Sequence, residues 1–277
     1  EPVTLYHDAG NIARSASGLE QPLTTIPQSV SIITTKQTEA QGIRTLDRAL
    51  LQATGVSQRI WGSNRATYNN LYARGSEIHN YQLDGLPLAG APDSGNMGTS
   101  AYEQIEITRG VSSLNDGGGE PGASVNLVRK RPDGGKNISL GAGSRKQYRL
   151  QSDLSAPLNH DGTLRGRSVL DLQRGDGWRY REKNRAASLY AILEYDLAAQ
   201  TTAEAGIQLE EGKQHAAFPH SLSAYDNQGY PTHFNYRDNP VPDWAYSRAR
   251  SLNLFTGLQH RINDDWQTKI QYNYRNS

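Results

Sequence analysis

The sequence predicts two kinds of structure in one chain of 277 residues: a small mixed α/β domain, and after it an antiparallel sheet of membrane-spanning β-barrel strands. Three observations lead to this prediction. The pattern of apolar residues changes near residues 131–135, a strict alternation of apolar and polar residues follows, and the connections between the alternating segments are in turn short and long.

The first domain is predicted to combine one helix with three strands. Thr45 can cap a helix over residues 45–54, and Gly55 can end it. The apolar residues on one face of this helix are Leu46, Ala49, Leu50 and Ala53. Apolar, β-branched runs predict strands at 28–34, 102–108 and 124–128, and Gly-rich or Asn-rich composition predicts loops at 60–72, 87–100 and 111–122.

About seven consecutive strands of period two are predicted after residue 135. Each strand has an apolar face opposite a polar one, as Leu170 and Leu172 lie opposite Asp171 and Gln173. Short turns and long aromatic-rich loops join these strands alternately. The turns are at 159–162, 198–200 and 263–265, and the long loops are at 175–184 and 212–247.

This alternation is typical of an outer-membrane β-barrel, whose strands keep their charges on the side of the lumen. A soluble antiparallel sandwich also alternates and is the other fold that the pattern allows. The charges on the polar face favour the barrel, as do aromatic residues at strand ends such as Tyr148 and Trp266.

Composition narrows the possible classes of function. The 29 Lys and Arg against 28 Asp and Glu give a formal net charge of +1, spread evenly and without the clustered positive charge of a nucleic-acid binder. The chain has no Cys, which excludes disulfides, thiol catalysis and Cys-ligated zinc. No stretch approaches the ~18 apolar residues of a membrane-spanning helix. The opening residues lack an export signal, so we expect any such signal to have been removed.

Two patterns resemble chemical motifs, but neither predicts an enzyme. Residues 117–122 formally match the dinucleotide-binding pattern GxGxxG, yet a β-branched strand pattern follows where that motif needs a helix. His215 and His220 lie close in sequence without a third ligand for a metal ion. We therefore predict no catalytic residue and no metal site.

Three stretches together resemble the plug domain of TonB-dependent outer-membrane siderophore receptors. Residues 27–56 are similar to the start of that domain. Arg74-Gly75, followed by Tyr81-Gln82-Leu83-Asp84-Gly85, resembles the family's "RG…YxDG" segment. Residues 102–110 and 121–132 are similar to its "YERIEVLRG…PGGxVNLVxKRP" ending, whereas residues 111–116 depart from the family pattern.

The resemblance implies a plug domain inside a barrel of about 22 strands. Residues 1–133 are then expected to be the TonB box and plug domain, and residues 134–277 the first ~7 strands of the transmembrane barrel. The chain is thus expected to be the N-terminal portion of a receptor. Seven strands alone would leave two unpaired edges in lipid, where each unsatisfied backbone group costs several kcal/mol.

The family also implies roles for two small sets of residues. Glu1, Pro2, Val3, Thr4 and Leu5 resemble a TonB box, an extended segment suited to capture by β-strand addition. Arg74 and Arg109 are expected to attach the plug to glutamates of the barrel wall, because a guanidinium group holds paired carboxylates well. Ordinary ion pairs at a sheet edge are the simpler interpretation of both arginines.

The implied function is uptake of a ferric siderophore across the bacterial outer membrane, with energy supplied through TonB and its inner-membrane complex. The iron arrives already saturated by chelate oxygens, so no cofactor and no metal ligand are expected, and aromatic walls with a few donors suffice. Arginine-plus-aromatic loops favour a hydroxamate such as ferrichrome or coprogen. The expected ligand contacts are Arg59, Trp61, Arg65, Tyr68, Asn96, Met97, Tyr102, Trp178, Tyr180, Phe218, His220, Tyr225, Tyr230 and Trp244.

Other interpretations stay open at this point. The substrate can instead be haem, a corrinoid or an oligosaccharide, or the chain can be a truncated plug fragment that binds a partner without transport. Outer-membrane lipid is expected as a further partner and nucleic acid is not.

Overall fold

The structure is a computed structural model that describes residues 12–13, 21–60, 69–88, 92, 97–110, 121–217 and 222–277. The chain divides into two compact units, Glu1–Lys130 and Arg131–Ser277, which we call the N-terminal unit and the C-terminal unit. The division falls where the apolar pattern of the sequence changes.

The described part of the N-terminal unit contains short strands and two short helices. The strands are β1 (Ile12–Ala13), β2 (Gln21–Pro22), β3 (Ser29–Thr34), β4 (Val56–Ile60), β5 (Asn69–Ala73), β6 (Ser76–Glu77), β7 (Asn80–Leu83), β8 (Leu86–Pro87), β9 (Tyr102–Arg109) and β10 (Ala123–Arg129). The helices are α1 (Thr35–Ala40) and α2 (Leu46–Leu50), and a 3₁₀ turn lies at Leu23–Thr25. Within these described ranges, no helix has the length and apolar character needed to cross a membrane.

A five-stranded mixed sheet in the order β3-β9-β10-β7-β8 forms the framework of this unit. Its central strand, β10, pairs antiparallel with β9 and parallel with β7, and every one of its residues is buried. The strands predicted at 28–34, 102–108 and 124–128 are confirmed as β3, β9 and β10, with each end within one residue of its predicted position.

The predicted helix at 45–54 is present but shorter, since α2 ends at Leu50. Thr45 precedes it as expected, although its hydroxyl donates to Asp47 Oδ1 at 2.5 Å instead of capping a backbone amide. Leu46, Ala49 and Leu50 are buried in the core, so the predicted apolar face is confirmed. Ile105, Ile107, Val125 and Leu127 of the sheet belong to the same core cluster.

The predicted loop at 60–72 contains a strand that the sequence did not indicate. β5 pairs antiparallel with β4, and with β6 they form a separate three-stranded sheet. β5 begins with two asparagines, a residue type depleted in strands, which hid the strand from a propensity argument.

The C-terminal unit is one antiparallel meander of seven strands in sequence order, as predicted. The strands are β11 (Lys136–Gly143), β12 (Gln147–Pro157), β13 (Leu164–Asp176), β14 (Lys183–Ala198), β15 (Thr201–His215), β16 (Tyr246–Arg261) and β17 (Gln267–Asn276). Three short turns lie at one end, after β12, β14 and β16, and the long loops 177–182 and 216–245 lie at the other.

The two faces of this sheet are inverted relative to a soluble protein. Leu140 on the apolar face is 81% exposed, whereas Gln151 on the polar face is 3% exposed. The apolar side chains continue across the sheet in register, since Leu189 pairs with Leu209 and Leu209 with Leu252. A face of exposed leucine over several strands is what lipid contact requires, and it excludes the sandwich.

Ion pairs join neighbouring strands on the polar face. Arg149 of β12 contacts Asp171 of β13 at 2.5 Å, and Arg167 of β13 contacts Asp153 of β12 at 2.8 Å. All four side chains are mostly buried. A guanidinium group and a carboxylate with matched donors and acceptors satisfy each other, which permits charge in a partly desolvated interior.

The segment that opens the C-terminal unit is held by the same network. Arg131 donates to the carboxylates of Glu194 and Glu204 on β14 and β15. Its carbonyl oxygen accepts from Arg167 Nη1 at 2.7 Å, and the carboxylate of Asp133 contacts the same guanidinium nitrogen at 2.9 Å. Residues 131–133 are therefore fixed to the wall of their own unit.

Candidate ligand-binding site

The two long loops of the C-terminal unit are joined to each other by hydrogen bonds. The backbone amide of Tyr180 donates to the carbonyl of Arg237 at 2.9 Å. Asn239 Nδ2 donates to the carbonyls of Tyr180 and Ala216, at 2.8 and 2.7 Å. Arg181 contacts Asp243 at 2.5 Å. Because these contacts connect 177–182 with 216–245, the two loops form one surface, which we call the loop rim.

Guanidinium groups lie over aromatic rings at the loop rim. The Arg237 guanidinium is 4.6 Å from the centre of the Tyr180 ring, and that of Arg145, from the turn before β12, is 3.4 Å from the Trp178 ring. Such contacts hold a flat ring in place while leaving donors free for a ligand.

Five of the predicted contacts are exposed at the loop rim. Trp178 and Tyr180 lie on the shorter loop, and Trp244, which is 80% exposed, lies on the longer one. Tyr225 and Tyr230 flank a turn of the longer loop, where Asp226 Oδ1 accepts from the amide of Tyr230 at 2.9 Å. Trp178 and Tyr180 thus lie on the loop that is hydrogen-bonded to residues 237–243. Tyr225, Tyr230 and Trp244 are exposed on the longer loop.

Sequence reasoning missed several members of the loop rim. Phe234 and Tyr236 are exposed there as well, and Tyr246 is exposed next to it at the start of β16. Arg145 and Arg237 lie over two of the predicted rings. The aromatic composition of 212–247 was a signal for the first three. No sequence pattern predicts the contacts of Arg145 and Arg237, because the aromatic residues that they cover are remote from them in sequence.

Two predicted contacts lie in the core instead of at a ligand surface. The Tyr102 side chain is 1% exposed and that of Met97 is 8% exposed, and both belong to the core cluster of the N-terminal unit. This corrects the expectation that they meet the ligand, because both side chains pack against other core residues and neither reaches the surface. Arg59 of β4 is exposed, as a ligand contact requires.

Several predicted residues lie outside the described part of the chain. They are Trp61, Arg65, Tyr68, Asn96, Phe218, His220 and the five residues Glu1, Pro2, Val3, Thr4 and Leu5.

The structure brings Arg74 and Arg109 together. A Cβ placed on Gly110 would lie 2.9 Å from Arg74 Nη1, so the Arg74 guanidinium covers the glycine next to Arg109. Arg109 donates to the hydroxyls of Ser29 and Ser31, at 2.7 and 2.5 Å. Burial lowers the pKa of the Arg109 guanidinium, and the nearby charge of Arg74 lowers this pKa further.

Within the described residues, neither arginine of this pair contacts a carboxylate. Two adjacent guanidinium groups, of which that of Arg109 is held by serine hydroxyls, are able to pair with an acidic group. The described residues hold no cluster of three or more His, Cys, Asp and Glu side chains able to bind a metal ion.

The inverted sheet and its polar inner face are typical of the wall of an outer-membrane β-barrel, and comparison with known proteins agrees. Residues 22–124 match the family described as TonB-dependent Receptor Plug Domain. The chain therefore contains a TonB-dependent receptor plug domain and is similar to the N-terminal portion of siderophore receptors of the bacterial outer membrane, a family of receptors and not of enzymes.

Individual relatives extend the match over nearly the whole chain. The ferric-pyoverdine 358 receptor of Pseudomonas putida is 30% identical over 95% of this chain and 32% of its own length. The ferrioxamine B receptor of Salmonella typhimurium strain SL1344 is 26% identical, over 95% of this chain and 39% of its own. A crystal structure of the Pseudomonas aeruginosa ferripyoverdine receptor bound to ferripyoverdine superposes with a TM-score of 0.88 at 26% identity, covering 98% of this chain and 37% of that one. The chain therefore spans about a third of the length of these relatives.

Proposed function

We propose that the chain supplies the plug domain and first barrel strands of a receptor that takes up a ferric siderophore through the outer membrane. The proposed TonB box and plug domain span residues 1–133, of which 131–133 are the segment held by the strands of the C-terminal unit, and residues 134–277 are the proposed first seven strands. The observation that carries the proposal is the C-terminal sheet, whose apolar face is exposed while Gln151, Asp153 and Asp171 on its other face are buried. That arrangement suits a wall between lipid and a polar lumen.

The loop rim is the proposed first contact for the ligand. The expected contacts among its described residues are Trp178, Tyr180, Tyr225, Tyr230 and Trp244, to which the structure adds Arg237 as a donor beside Tyr180. Rings supply contact area at low entropic cost, and guanidinium groups donate to chelate oxygens. Arg59 of the plug is a further proposed ligand contact.

We propose a siderophore with hydroxamate groups as the substrate. The relatives are named as receptors for pyoverdine and ferrioxamine B, which supports a ferric siderophore in general. The finer assignment rests on the loop rim, where aromatic rings predominate, Arg145 and Arg237 already cover rings and Arg181 already meets an acid. A strongly anionic catecholate would need a denser set of uncommitted cations.

Energy is proposed to enter at Glu1–Leu5 through TonB and its inner-membrane complex. A pull on this segment acts next on β1. The carbonyl of Ile12 accepts from Gln104 Nε2 at 3.1 Å, and Gln104 also donates to the buried Glu106 at 2.6 Å. Through these hydrogen bonds a pull on β1 reaches the central sheet of the plug.

Arg74 and Arg109 are proposed to hold acidic groups of the barrel wall while the receptor is at rest. Support comes from their proximity and from the absence of a carboxylate partner among the described residues. A carboxylate that pairs with both relieves the repulsion between them, so this contact would keep the plug in place until TonB pulls.

Growth of iron-starved cells tests the proposal. The full gene is expressed in a strain without other siderophore receptors, and single purified ferric siderophores are supplied. We expect growth on at least one hydroxamate, and none after deletion of residues 1–5. Growth only on other siderophores would overturn the hydroxamate assignment. A purified receptor that binds no ferric siderophore at all would overturn the function.

A further inference from the structure

The three-stranded sheet β4-β5-β6 carries Arg59, the proposed ligand contact of the plug. In the described residues this sheet shares no strand pairing with the five-stranded sheet, and β4 lies at its edge. Leu71 and Ala73 of β5 pack into the core. Apolar packing of this kind is not directional, so it does not by itself fix the orientation of β4. Directional contacts of β4 are therefore needed to orient Arg59.

One hydrogen bond between side chains joins β4 to helix α2. Gln58 Nε2 donates to Asp47 Oδ2 at 3.1 Å. The Asp47 residue is 2% exposed, so this contact lies inside the N-terminal unit. Hydrogen bonds to a carboxylate are stronger than those between neutral groups. The contact therefore ties the edge strand to a buried point of the plug.

The Asp47 carboxylate is itself held in place at the start of α2. Its Oδ1 accepts from the Thr45 hydroxyl at 2.5 Å and from the backbone amide of Arg48 at 2.8 Å. These two bonds fix one carboxylate oxygen to the helix and direct the other toward Gln58. Asp47 is thus a fixed acceptor and not a mobile side chain that follows β4.

Arg59 lies on the other side of β4 from Gln58, because successive side chains of a strand point to opposite faces. Arg59 is exposed there, and its register partner on β5 is Asn70. Asn70 Nδ2 donates to Glu77 Oε1 of β6 at 2.5 Å, so the residue opposite Arg59 is held as well. One face of β4 is therefore joined to α2, while the opposite face presents Arg59.

We propose that Asp47 is a positioning residue for ligand binding, which acts through Gln58 to hold β4 and Arg59 in the orientation that meets the ferric siderophore. This inference rests on the proposed role of Arg59 as a ligand contact. Asp47 is buried and meets no ligand itself. Without its bond to Gln58 the edge strand tilts, and ordering Arg59 again on binding reduces affinity.

The test uses the full-length receptor in detergent, titrated separately with ferripyoverdine and ferrioxamine B. Gln58→Met removes the donor at similar length and is expected to weaken binding at least about fivefold. Arg59→Gln should weaken binding at least as much. In the Arg59→Gln background, Gln58→Met should cost no more than about twofold, because the group that β4 positions is absent. The control Gln52→Met, at an exposed position after α2, should bind as the parent does.

A swapped pair separates positioning from a general need for the buried carboxylate. Asp47→Asn/Gln58→Glu exchanges donor and acceptor at the same net charge, so the new amide at position 47 donates to the new carboxylate at position 58. This double variant is expected to bind within about threefold of the parent. A swapped pair as weak as Gln58→Met would contradict the role of the hydrogen bond.

Hydrogen exchange of the ligand-free receptor gives a readout that does not depend on the siderophore. Amides of β4 should exchange at least about tenfold faster in Gln58→Met, and those of β9 and β10 at an unchanged rate. Unchanged exchange in β4, parent-like binding by Gln58→Met or Arg59→Gln, or an undiminished loss in the Arg59→Gln background would overturn the inference. A parent receptor that binds neither siderophore would overturn the proposed function, and exchange in β4 would still decide whether Asp47 holds this strand.

Discussion

At the scale of single residues, charge on the inner wall depends on exact pairing. The Asp171 carboxylate is 3% exposed, contacts Arg149 at 2.5 Å and accepts from Gln173 Nε2 at 3.1 Å. Asp171→Asn leaves Arg149 buried without its counter-charge and is expected to lower the free energy of unfolding by about 3–5 kcal/mol. Denaturant unfolding of the full-length receptor in micelles measures this loss.

Two further variants distinguish loss of the Arg149–Asp171 ion pair from a general destabilising effect of substitution. The turn variant Asp264→Asn, at an exposed position, should change the free energy of unfolding by less than about 0.5 kcal/mol. The double variant Arg149→Met/Asp171→Leu removes both charges. Its free energy of unfolding should fall clearly less than that of Asp171→Asn. A double variant as unstable as the single one would contradict the pairing argument.

Tyr180 is the residue on which the loop rim is best tested. Its ring lies under Arg237 and its backbone is hydrogen-bonded to both Arg237 and Asn239, so the ring is held in one orientation. Tyr180→Ala is expected to weaken ferric siderophore binding about tenfold, in the range of an aromatic contact residue. Quenching of intrinsic fluorescence on titration gives the affinity. Tyr272→Ala, also at an exposed position but on the lipid face, should bind as the parent does.

At the scale of elements, close packing on the inner face restricts side-chain size. A Cβ on Gly206 of β15 would lie 2.1 Å from the Phe255 ring and 2.6 Å from the carbonyl oxygen of Ala191. That ring is stacked on Tyr190, with ring centres 6.1 Å apart, and cannot withdraw easily. Gly206→Ala should therefore destabilise the receptor by about 1–3 kcal/mol. Thermal unfolding is the measurement.

Gly143→Ala is the matched control for this glycine. Its nearest neighbour would be Gln147 Cβ at 3.4 Å, an ordinary contact. We expect no more than a marginal change in the unfolding temperature. Equal losses for the two variants would show that glycine is required for strand formation in general and not for the fit against Phe255.

On the leucine face, side-chain polarity is restricted instead of side-chain size. This face must stay apolar although it is exposed. Leu254 lies in register between Ile207 and Tyr274 in the middle of this face. In a lipid-facing position, Leu254→Arg should cost about 2–4 kcal/mol, whereas an exposed leucine of a soluble protein would tolerate arginine. Folding titrations in lipid vesicles measure the difference, with Leu254→Ile as the control. An arginine variant as stable as the isoleucine variant would contradict lipid contact.

At the scale of the whole molecule, the sheet has two edges. In the described residues β11 pairs only with β12, and β17 only with β16. Unpaired backbone groups in lipid cost several kcal/mol each. The isolated 277-residue chain is therefore expected to show no compact, heat-modifiable band on electrophoresis after insertion into bilayers, whereas the full-length gene product should show one. Such a band from the isolated chain would contradict an open sheet.

Most of the fold could be predicted because its signals are local. Alternation along β12–β17 needs only neighbouring residues, and lipid contact makes the alternation strict. The helix α2 and the strand β5 were predicted less well. The end of α2 depends on tertiary contacts, and the two asparagines that open β5 conceal its pairing with β4. Family resemblance supplied the proposed roles of Arg74 and Arg109, which no composition or spacing indicates.

The candidate site could be predicted only in part. The aromatic residues of the long loops indicated a candidate binding surface. Pattern alone could not distinguish Tyr102, which is buried in the core, from Tyr180, which is exposed on a loop, because a tyrosine suits either place. Orientation of the rings by Arg145 and Arg237 depends on chain segments that meet only after folding.

The sequence by itself determined the two-part organisation, the seven strands and which face of each strand is apolar, because these follow from the period of the apolar residues along the chain. Only the tertiary structure decided which residues from distant parts of the chain are neighbours. It placed Arg74 over the glycine next to Arg109, joined the two long loops through Asn239, and brought Gln58 of β4 to Asp47 of α2. Such neighbours are set by register and loop closure between distant segments, which periodicity along the chain does not encode.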